Sequence, residues 1–558
     1  MAGVRHVQGS IGPRHHDLRA GARGLTTAGG RGVRLDRLIP AVSAGLIIAA
    51  LEVVLASSFG ALIFAGDLAT FVNAGIGLNL VAAVIIMGLL ALGTSQPGTV
   101  GSIQDVSAAV LALIAAGISA RMGPNDPRTF LTVVLAIGLT SMVAGGVFFL
   151  LGSLRLGDLV RFVPYPVVGG FLAGTGWLLF KGGLGVMTGA SLTMSSVGHL
   201  FSVDMTTRWL PGLVVAVAVL GLLRVYPHFL VIPSALLGSV VLFYLVVPLS
   251  GSSIAQAQAE GWLLGPLPGG QFWHAWMGQA VGQADWGAIA GQAGNIATVV
   301  VIALLTLLLN ASGIELLMNR DVDLNRELRA AGAANVTSGL AGGVVGFHAL
   351  SLSALAVISG ARSRVVGLTG AAVCLGVLLF GSSAVAHLPR FVLGGLVVFL
   401  GLSFLVEWLV DSWARLSRAE YAVVVLILLV VAFAGFLQGV ALGLVMAVIL
   451  FVVNYSRTDV VRHTLSAATF SSNVERGREE RDVLRRLGDQ AHILELQGFL
   501  FFGTATALVD RIAARVRDGG QPPVRFLVLD FRRVTGVDSS AVMSFAKVAK
   551  LGEAHGFA

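Results

Sequence analysis

Apolar segments long enough to cross a lipid bilayer recur along most of this chain, and each must satisfy its own backbone hydrogen bonds. A hydrocarbon core about 30 Å thick takes roughly 20 apolar residues as helix. On that measure candidate spans lie at 40–60, 78–93, 101–120, 129–151, 165–183, 209–225 and 229–248. A second set lies at 296–318, 329–347, 348–360, 365–380, 388–410, 420–435 and 437–454. Between the sets, residues 249–295 are rich in Gly, Gln, Pro and Trp, and Trp262, Trp273, Trp276 and Trp286 suit a loop at a membrane interface. Of 558 residues, 56% are hydrophobic and only 12% charged, more apolar surface than a soluble core can hide. The expected fold is a helical polytopic membrane protein followed by a small α/β domain.

Charge and cysteine usage narrow the class. The net charge of +8 is no nucleic-acid signal, because arginines crowd the tail before the first span, from Arg5 to Arg37. That asymmetry keeps the N-terminus cytoplasmic. Residues 1–33 read as a disordered basic tail, with no signal peptide. The single cysteine, Cys374, reads as a small buried hydrophobe and excludes a disulfide within the chain. No metal-ligand spacing, phosphate-binding loop or nucleophile motif stands out, so neither a metal, a cofactor nor an enzyme is expected.

Two sets of seven segments suggest an internal repeat. RFVPYPVVGGFLAG at 161–174 and RFVLGGLVVFLG at 390–401 share a start and a Gly-Gly, placing Arg161 and Arg390 at corresponding helix mouths. Seven is odd, so two such halves have opposite orientations, the inverted-repeat plan of secondary transporters. The transporter domain is taken as 34–456, with repeat one at about 36–248, the loop at 249–295 and repeat two at about 296–456. A charged linker over 457–489 precedes alternating strand and helix patterns over 490–558.

One stretch cannot be ordinary helix. Arg329 to Arg362 is 34 residues, which as helix covers about 50 Å. Two crossings need about 60 Å. GGVVGFHA at 342–349 is poor helix material, so the chain is expected to unwind at mid-depth. A half helix about 16 Å long then starts near Ala349. Broken backbone in a bilayer must be buried in protein or line a cavity. A half-helix start presents unpaired N–H groups and about half a positive charge, which can hold an anion. Ser351 and Ser353 add hydroxyls there, and His348 can donate or titrate. GTSQPGTVGSIQDVSAAV at 93–110 has the same character, with Pro97 and Gly98 as breakers. There the length argument fails, because 101–120 could cross as one helix and hydropathy makes 94–100 an interfacial turn.

At these residues the sequence resembles the SulP family of anion transporters, the sulfate-permease-like carriers. The matching segments are 93–110, LVRFVPYPVVGGFLAGTGWLL from Leu159, and DVDLNRELRAAGAANVTSGLAGG from Asp321. Residues 490–558 resemble a STAS domain. At 69 residues this stretch is shorter than a complete STAS fold, so a partial domain is expected. The resemblance implies fourteen segments in two inverted repeats, core and gate domains, and a homodimer. It implies substrate between the starts of half helices three and ten, here Gly101, Ser102, Ile103 and Gln104, and His348, Ala349, Leu350 and Ser351. Ser57 and Ser58 of the first helix and Glu315 of the eighth would also face that site. Ser540 matches the position where anti-sigma-factor antagonist relatives carry a phosphorylatable serine. Ser102 departs from the family's usual proline, and Leu352 from the arginine frequent in vertebrate relatives.

Three acids, Glu52, Asp105 and Glu315, stand in or near this expected site. Intramembrane carboxylates are costly, so each is a coupling-ion candidate. Two half-helix dipoles offer about one positive charge together, which three ionised carboxylates would overwhelm. The expectation is therefore a secondary active carrier of an inorganic anion or small carboxylate, moving by alternating access with H⁺, or failing that Na⁺. A nucleobase-type proton symporter and a STAS-bearing scaffold with vestigial transport are the alternatives. The expected place is a plasma membrane, the bacterial inner membrane, with both termini cytoplasmic and no nucleic-acid partner.

Overall fold

The computed structural model describes residues 35–123, 126–157, 165–189, 197–228, 230–265, 272, 274–456, 458–470 and 473–558. The basic tail, Arg161 and Trp273 lie outside these residues. The first seven segments are α1 (Leu35–Ile63), α2 (Val72–Gly93), β1 (Gly101–Ile103) leading into α3 (Asp105–Met122), α4 (Thr129–Ser153), α5 (Tyr165–Thr188), α6 (Val203–Val225) and α7 (Val231–Leu249). The second seven are α8 (Ala293–Met318), α9 (Leu324–Leu340), β2 (Gly346–His348) leading into α10 (Leu350–Ile358), α11 (Val365–Phe380), α12 (Arg390–Leu405), α13 (Arg418–Phe433) and α14 (Phe436–Ser456). Among the described residues nine helices are long and apolar enough to cross a membrane unaided. Of the other five, α10 has nine residues and α9 is polar.

The packing repeats under a shift of seven segments. In one bundle α4 packs on α9, and the equivalent pair α11 and α2 packs likewise. In the other, α6 packs on α12, and its equivalent α13 packs on α5. The first bundle holds α1–α4 with α8–α11, the second α5–α7 with α12–α14. Helices α1 and α3 touch α5, and α1 also touches α12, which joins the two.

Lipid gives helices no hydrophobic reason to associate, so close packing must supply the attraction. Two glycine seams do so. A Cβ added at Gly145 would lie 2.7 Å from Gly332 O, and one at Gly332 would lie 2.8 Å from Gly145 O, between α4 and α9. The second seam joins α5 to α12. There a Cβ at Gly176 would lie 2.8 Å from Gly401 O, and one at Gly183 would lie 2.7 Å from Gly394 O.

Two expected spans are corrected. The segment expected at 329–347 stops being helix at Leu340, because the chain turns through Gly342 at φ +78° before reaching β2. The segment expected at 101–120 is not helix throughout: Gly101–Ile103 is strand, and α3 begins at Asp105. Pairing with β2 captures those three residues, a partner that hydropathy does not reveal.

After the membrane segments come β3 (Val461–Ser466), α15 (Arg478–Leu487), β4 (Ala491–Leu500), α16 (Phe502–Arg517), β5 (Phe526–Val537) and α17 (Ser539–His555). The sheet order is β3-β4-β5, with β3 antiparallel and β5 parallel to β4. The sheet thus begins inside the stretch read as linker, since β3 pairs with β4 along Val461–Ser466. Leu494, Leu496, Leu508, Ile512 and Val548 form its core.

The seams yield a prediction. Gly332→Leu would drive a side chain into Phe149 N, 2.6 Å from the first added carbon. Overpacking of this kind costs about 1–3 kcal/mol or more. Purified Gly332→Leu protein should melt at a clearly lower temperature than wild type, whereas Gly146→Leu, whose added carbon meets nothing within 4 Å, should not.

A candidate binding site where two half helices start

Strands β1 and β2 run antiparallel, with Gly101 opposite His348, Ser102 opposite Phe347 and Ile103 opposite Gly346. The ladder continues at both ends, where Gln104 N donates to Val345 O at 3.3 Å and Ala349 N donates to Val100 O at 2.9 Å. A two-strand ribbon leaves outer backbone groups unpaired, and in a membrane interior these must find partners. Asn335 of α9 supplies them for Gly346: its Nδ2 donates to Gly346 O at 2.6 Å and its Oδ1 accepts from Gly346 N at 2.9 Å. Val100 N donates to Ser353 Oγ, Gln104 Nε2 to Phe347 O, and Asn310 Nδ2 to His348 O. Ser141 and Ser338 hydroxyls donate to Gly343 O and Val344 O on the approach to β2.

Helices α3 and α10 leave the ribbon in opposite directions, so both starts face the crossing. Their capping residues, Gln104 and Ala349, are extended and give no side-chain cap. At the α3 end a carboxylate is already present. Glu52 of α1, fully buried, accepts from Ser102 Oγ at 2.7 Å and from Ile103 N at 3.0 Å. Asp105, the first residue of α3, accepts from Val106 N at 2.8 Å and is half-buried. At the α10 end the N–H groups of Leu350, Ser351 and Leu352 make no hydrogen bond among the described residues. Ser351 is exposed and Leu350 half-buried there.

The remaining expected residues are distributed as follows. Gly101, Ser102, Ile103, Gln104, His348 and Ala349 are all buried in the ribbon or its ends. Ser57 and Ser58 are buried on α1, with hydroxyls donating to Val53 O and Val54 O of their own helix. Glu315 is not brought to the crossing. It stands in the last turn of α8, where Oε2 lies 3.4 Å from Val322 N, and Asn310, more than a turn earlier, is the α8 residue that reaches β2. Ser540 is exposed in the first turn of α17, where Asp538 caps the helix through Ala541 N at 2.6 Å.

Sequence reading missed Glu327 and Asn335 as parts of this site, although both lie in the quoted 321–343 segment. Glu327 is buried in α9, and Oε1 accepts from Thr94 Oγ1, Ser95 N and Ser95 Oγ. Its Oε2 lies 2.7 Å from His348 Nε2. One carboxylate therefore ties α9, the approach to β1 and the end of β2 together. His348 Nδ1 is buried with no hydrogen-bond partner among the described residues.

An inverted repeat with two half-helix starts meeting inside the bundle, lined by carboxylates and hydroxyls, defines a membrane transporter rather than an enzyme. The chain belongs to the sulfate permease family: that family's profile matches residues 38–427. The STAS domain profile matches residues 485–558. The vacuolar basic amino acid transporter VSB1 of Saccharomyces cerevisiae is 26% identical over 532 residues, covering 92% of this chain and 51% of that protein. A probable sulfate transporter of Mycobacterium tuberculosis is 28% identical over 337 residues, 59% of this chain and 56% of that one. The chain thus spans about half the length of these relatives. The fold matches the overall structure of SLC26A9, with a TM-score of 0.69 at 17% identity over 94% of this chain and 84% of that one. The transmembrane domain of a cyanobacterium bicarbonate transporter BicA matches with a TM-score of 0.54 at 20% identity, over 74% of this chain and 98% of that one.

Removing one partner of a buried, hydrogen-bonded charge costs about 3–5 kcal/mol. Glu327→Ala should therefore unfold in detergent well below wild type. An equal melting temperature would show that this node does not hold the crossing.

Proposed function

We propose that the chain is a secondary active transporter that carries a small anion, inorganic or carboxylate, together with H⁺ by alternating access. The supporting observation is the meeting of the α3 and α10 starts beside Glu52, whose carboxylate takes Ser102 Oγ and Ile103 N. A buried carboxylate on the α3 end already uses part of the positive potential there. A bare anion then binds favourably only once Glu52 or Asp105 is protonated, so proton and anion travel together. The second bundle, α5–α7 with α12–α14, serves as the gate against which the first is displaced. The plasma membrane, cytoplasmic termini and a homodimer complete the reading, with Na⁺ as the alternative coupling ion.

A second reading is favoured by the two carboxylates of the crossing. The yeast relative that aligns along 92% of this chain is named as a basic amino acid transporter. A cargo that brings its own positive group would need no proton to balance Glu52 and Asp105.

Proteoliposome uptake tests the proposal. Labelled bicarbonate, sulfate, short carboxylates and basic amino acids are offered with and without an inward proton gradient. Uptake of at least one anion should rise when the outside is acid. Glu52→Gln should remove that dependence on the gradient, and Ser351→Ala should weaken uptake at unchanged protein level. Uptake indifferent to the gradient and to both substitutions would overturn the proposal.

A further inference from the structure

Arg390 is the first residue of α12, and the crossing makes no use of it. Its side chain is half-buried. A guanidinium carries five N–H donors. Nε donates to Leu263 O at 3.2 Å, and among the described residues the side chain makes no other hydrogen bond or ion pair. A charge held inside a membrane bundle is costly unless something neutralises it. Arg208 of α6 reaches the same loop, 3.7 Å from a Cβ added at Gly261, but is itself paired with Asp204 at 3.6 Å. Asp67, between α1 and α2, is exposed and forms no ion pair with Arg390. Residues 190–196 and 266–271, which adjoin Gly189 and Gly265 in sequence, contain no Asp or Glu. The carbonyl end of α5 and the start of α12 carry about half a charge each, of opposite sign, and offset one another. The guanidinium charge is left over.

Beside it lies a cavity of about 240 Å³. Phe64, Thr70 and Asn73 line it from the α1–α2 side, and Gly185, Gly189 and Arg390 from the second bundle. Among the described residues no carboxylate lines it. A Cβ at Gly189 would lie 3.7 Å from Arg390 Nη1, so glycine there leaves the guanidinium uncovered. Asn73 Oδ1 is buried with no hydrogen-bond partner among the described residues. An amide can offer a guest either its oxygen or its N–H groups. The volume takes a small oxyanion with several waters, each water needing ~30 Å³. Three helices, α12, α13 and α14, follow Arg390 before β3. Three crossings place the cavity on the face opposite the STAS domain, at the joint between the bundles. The crossing of α3 and α10 lies within the first bundle.

We propose that this cavity is a second anion site, separate from the crossing, in which Arg390 binds a small planar oxyanion and Asn73 hydrogen-bonds it. With Nε engaged by Leu263 O, both Nη groups remain, the pair that grips a carboxylate or bicarbonate through two parallel bonds. A halide can use only one such contact at full strength, so planar oxyanions are preferred. Because the walls belong to both bundles, an anion seated here bridges them. The site stands whatever the crossing carries, since its charge and its lining come from other residues.

Thiol labelling of the purified full-length chain in nanodiscs tests this without any transport. The natural cysteine, Cys374, is buried, which keeps the background low. Thr70→Cys and Ala69→Cys each put a thiol at an exposed position lining the cavity. Rates are compared for an anionic and a cationic methanethiosulfonate, the sulfonatoethyl and trimethylammonioethyl reagents. Adding Arg390→Gln should lower the anionic-to-cationic rate ratio about tenfold, and Arg390→Lys should largely keep it. Asn73→Asp, which supplies the missing carboxylate, should lower the ratio likewise even where Arg390→Gln fails to fold. Bicarbonate and acetate should slow the anionic reagent more than chloride does, and Ser351→Ala at the crossing should leave that protection intact. Ratios indifferent to Arg390→Gln and Asn73→Asp, or no protection by either oxyanion, would overturn the second site. So would a failure of both thiols to react with either reagent, since the cavity would then be closed to solutes. None of these outcomes bears on uptake, by which the carrier reading is judged.

Discussion

Unpaired peptide groups cannot be left facing hydrocarbon, and this requirement organises the centre of the molecule. Breaking two helices inside the bundle frees backbone donors and acceptors that water would otherwise satisfy. The chain answers first by pairing the two breaks with each other, Gly101–Ile103 against Gly346–His348. It then supplies a side-chain amide in place of a third strand, since Asn335 exchanges two hydrogen bonds with Gly346 as a neighbouring peptide would. Ser353, Gln104, Asn310, Ser141 and Ser338 close the remaining gaps. At the crossing itself, the groups left over include the N–H donors at the start of α10 and His348 Nδ1.

Electrostatics then separates the two half helices, which the pseudo-symmetry makes equivalent in backbone alone. The α3 start has Glu52 bound to it from another helix and Asp105 on its own first turn. The corresponding positions at α10 carry Leu350 and neighbouring serines. A helix start with a carboxylate on it and one without have opposite preferences for a guest, although each presents the same dipole. Neither proton coupling nor a cationic cargo requires a new fold, only a decision about what neutralises Glu52 and Asp105.

Much of the fold was legible because bilayer thickness is a ruler. The 34 residues between Arg329 and Arg362 are too few for two crossings, and the chain does unwind there, with Ala349 capping the half helix. The first-half break was not legible in the same way: 101–120 is long enough to cross, and only its pairing with β2 makes Gly101–Ile103 extended. Glu327 and Asn335 escaped for a related reason. Glu327 finds Thr94 at a separation of 233 residues, and no local pattern announces such a partner. Glu315, a polar residue in an apolar run, stands instead in the last turn of its helix, which ends at Met318. In the STAS region the charged composition of 457–489 hid β3, because a short edge strand with one buried residue, Val461, leaves little periodic trace.

The glycine seams have a mechanical corollary. Where Gly145 meets Gly332 and Gly176 meets Gly401, backbone rests on backbone with no intervening side chain to change rotamer. Each seam is therefore a weld, lying wholly within one bundle. The contacts of α1 and α3 with α5, and of α1 with α12, are made instead where the two bundles face each other. Under the alternating access proposed above, any slippage between bundles falls on that second kind of surface, so a pair of spectroscopic probes straddling a weld would stay silent while probes set across the joint would separate.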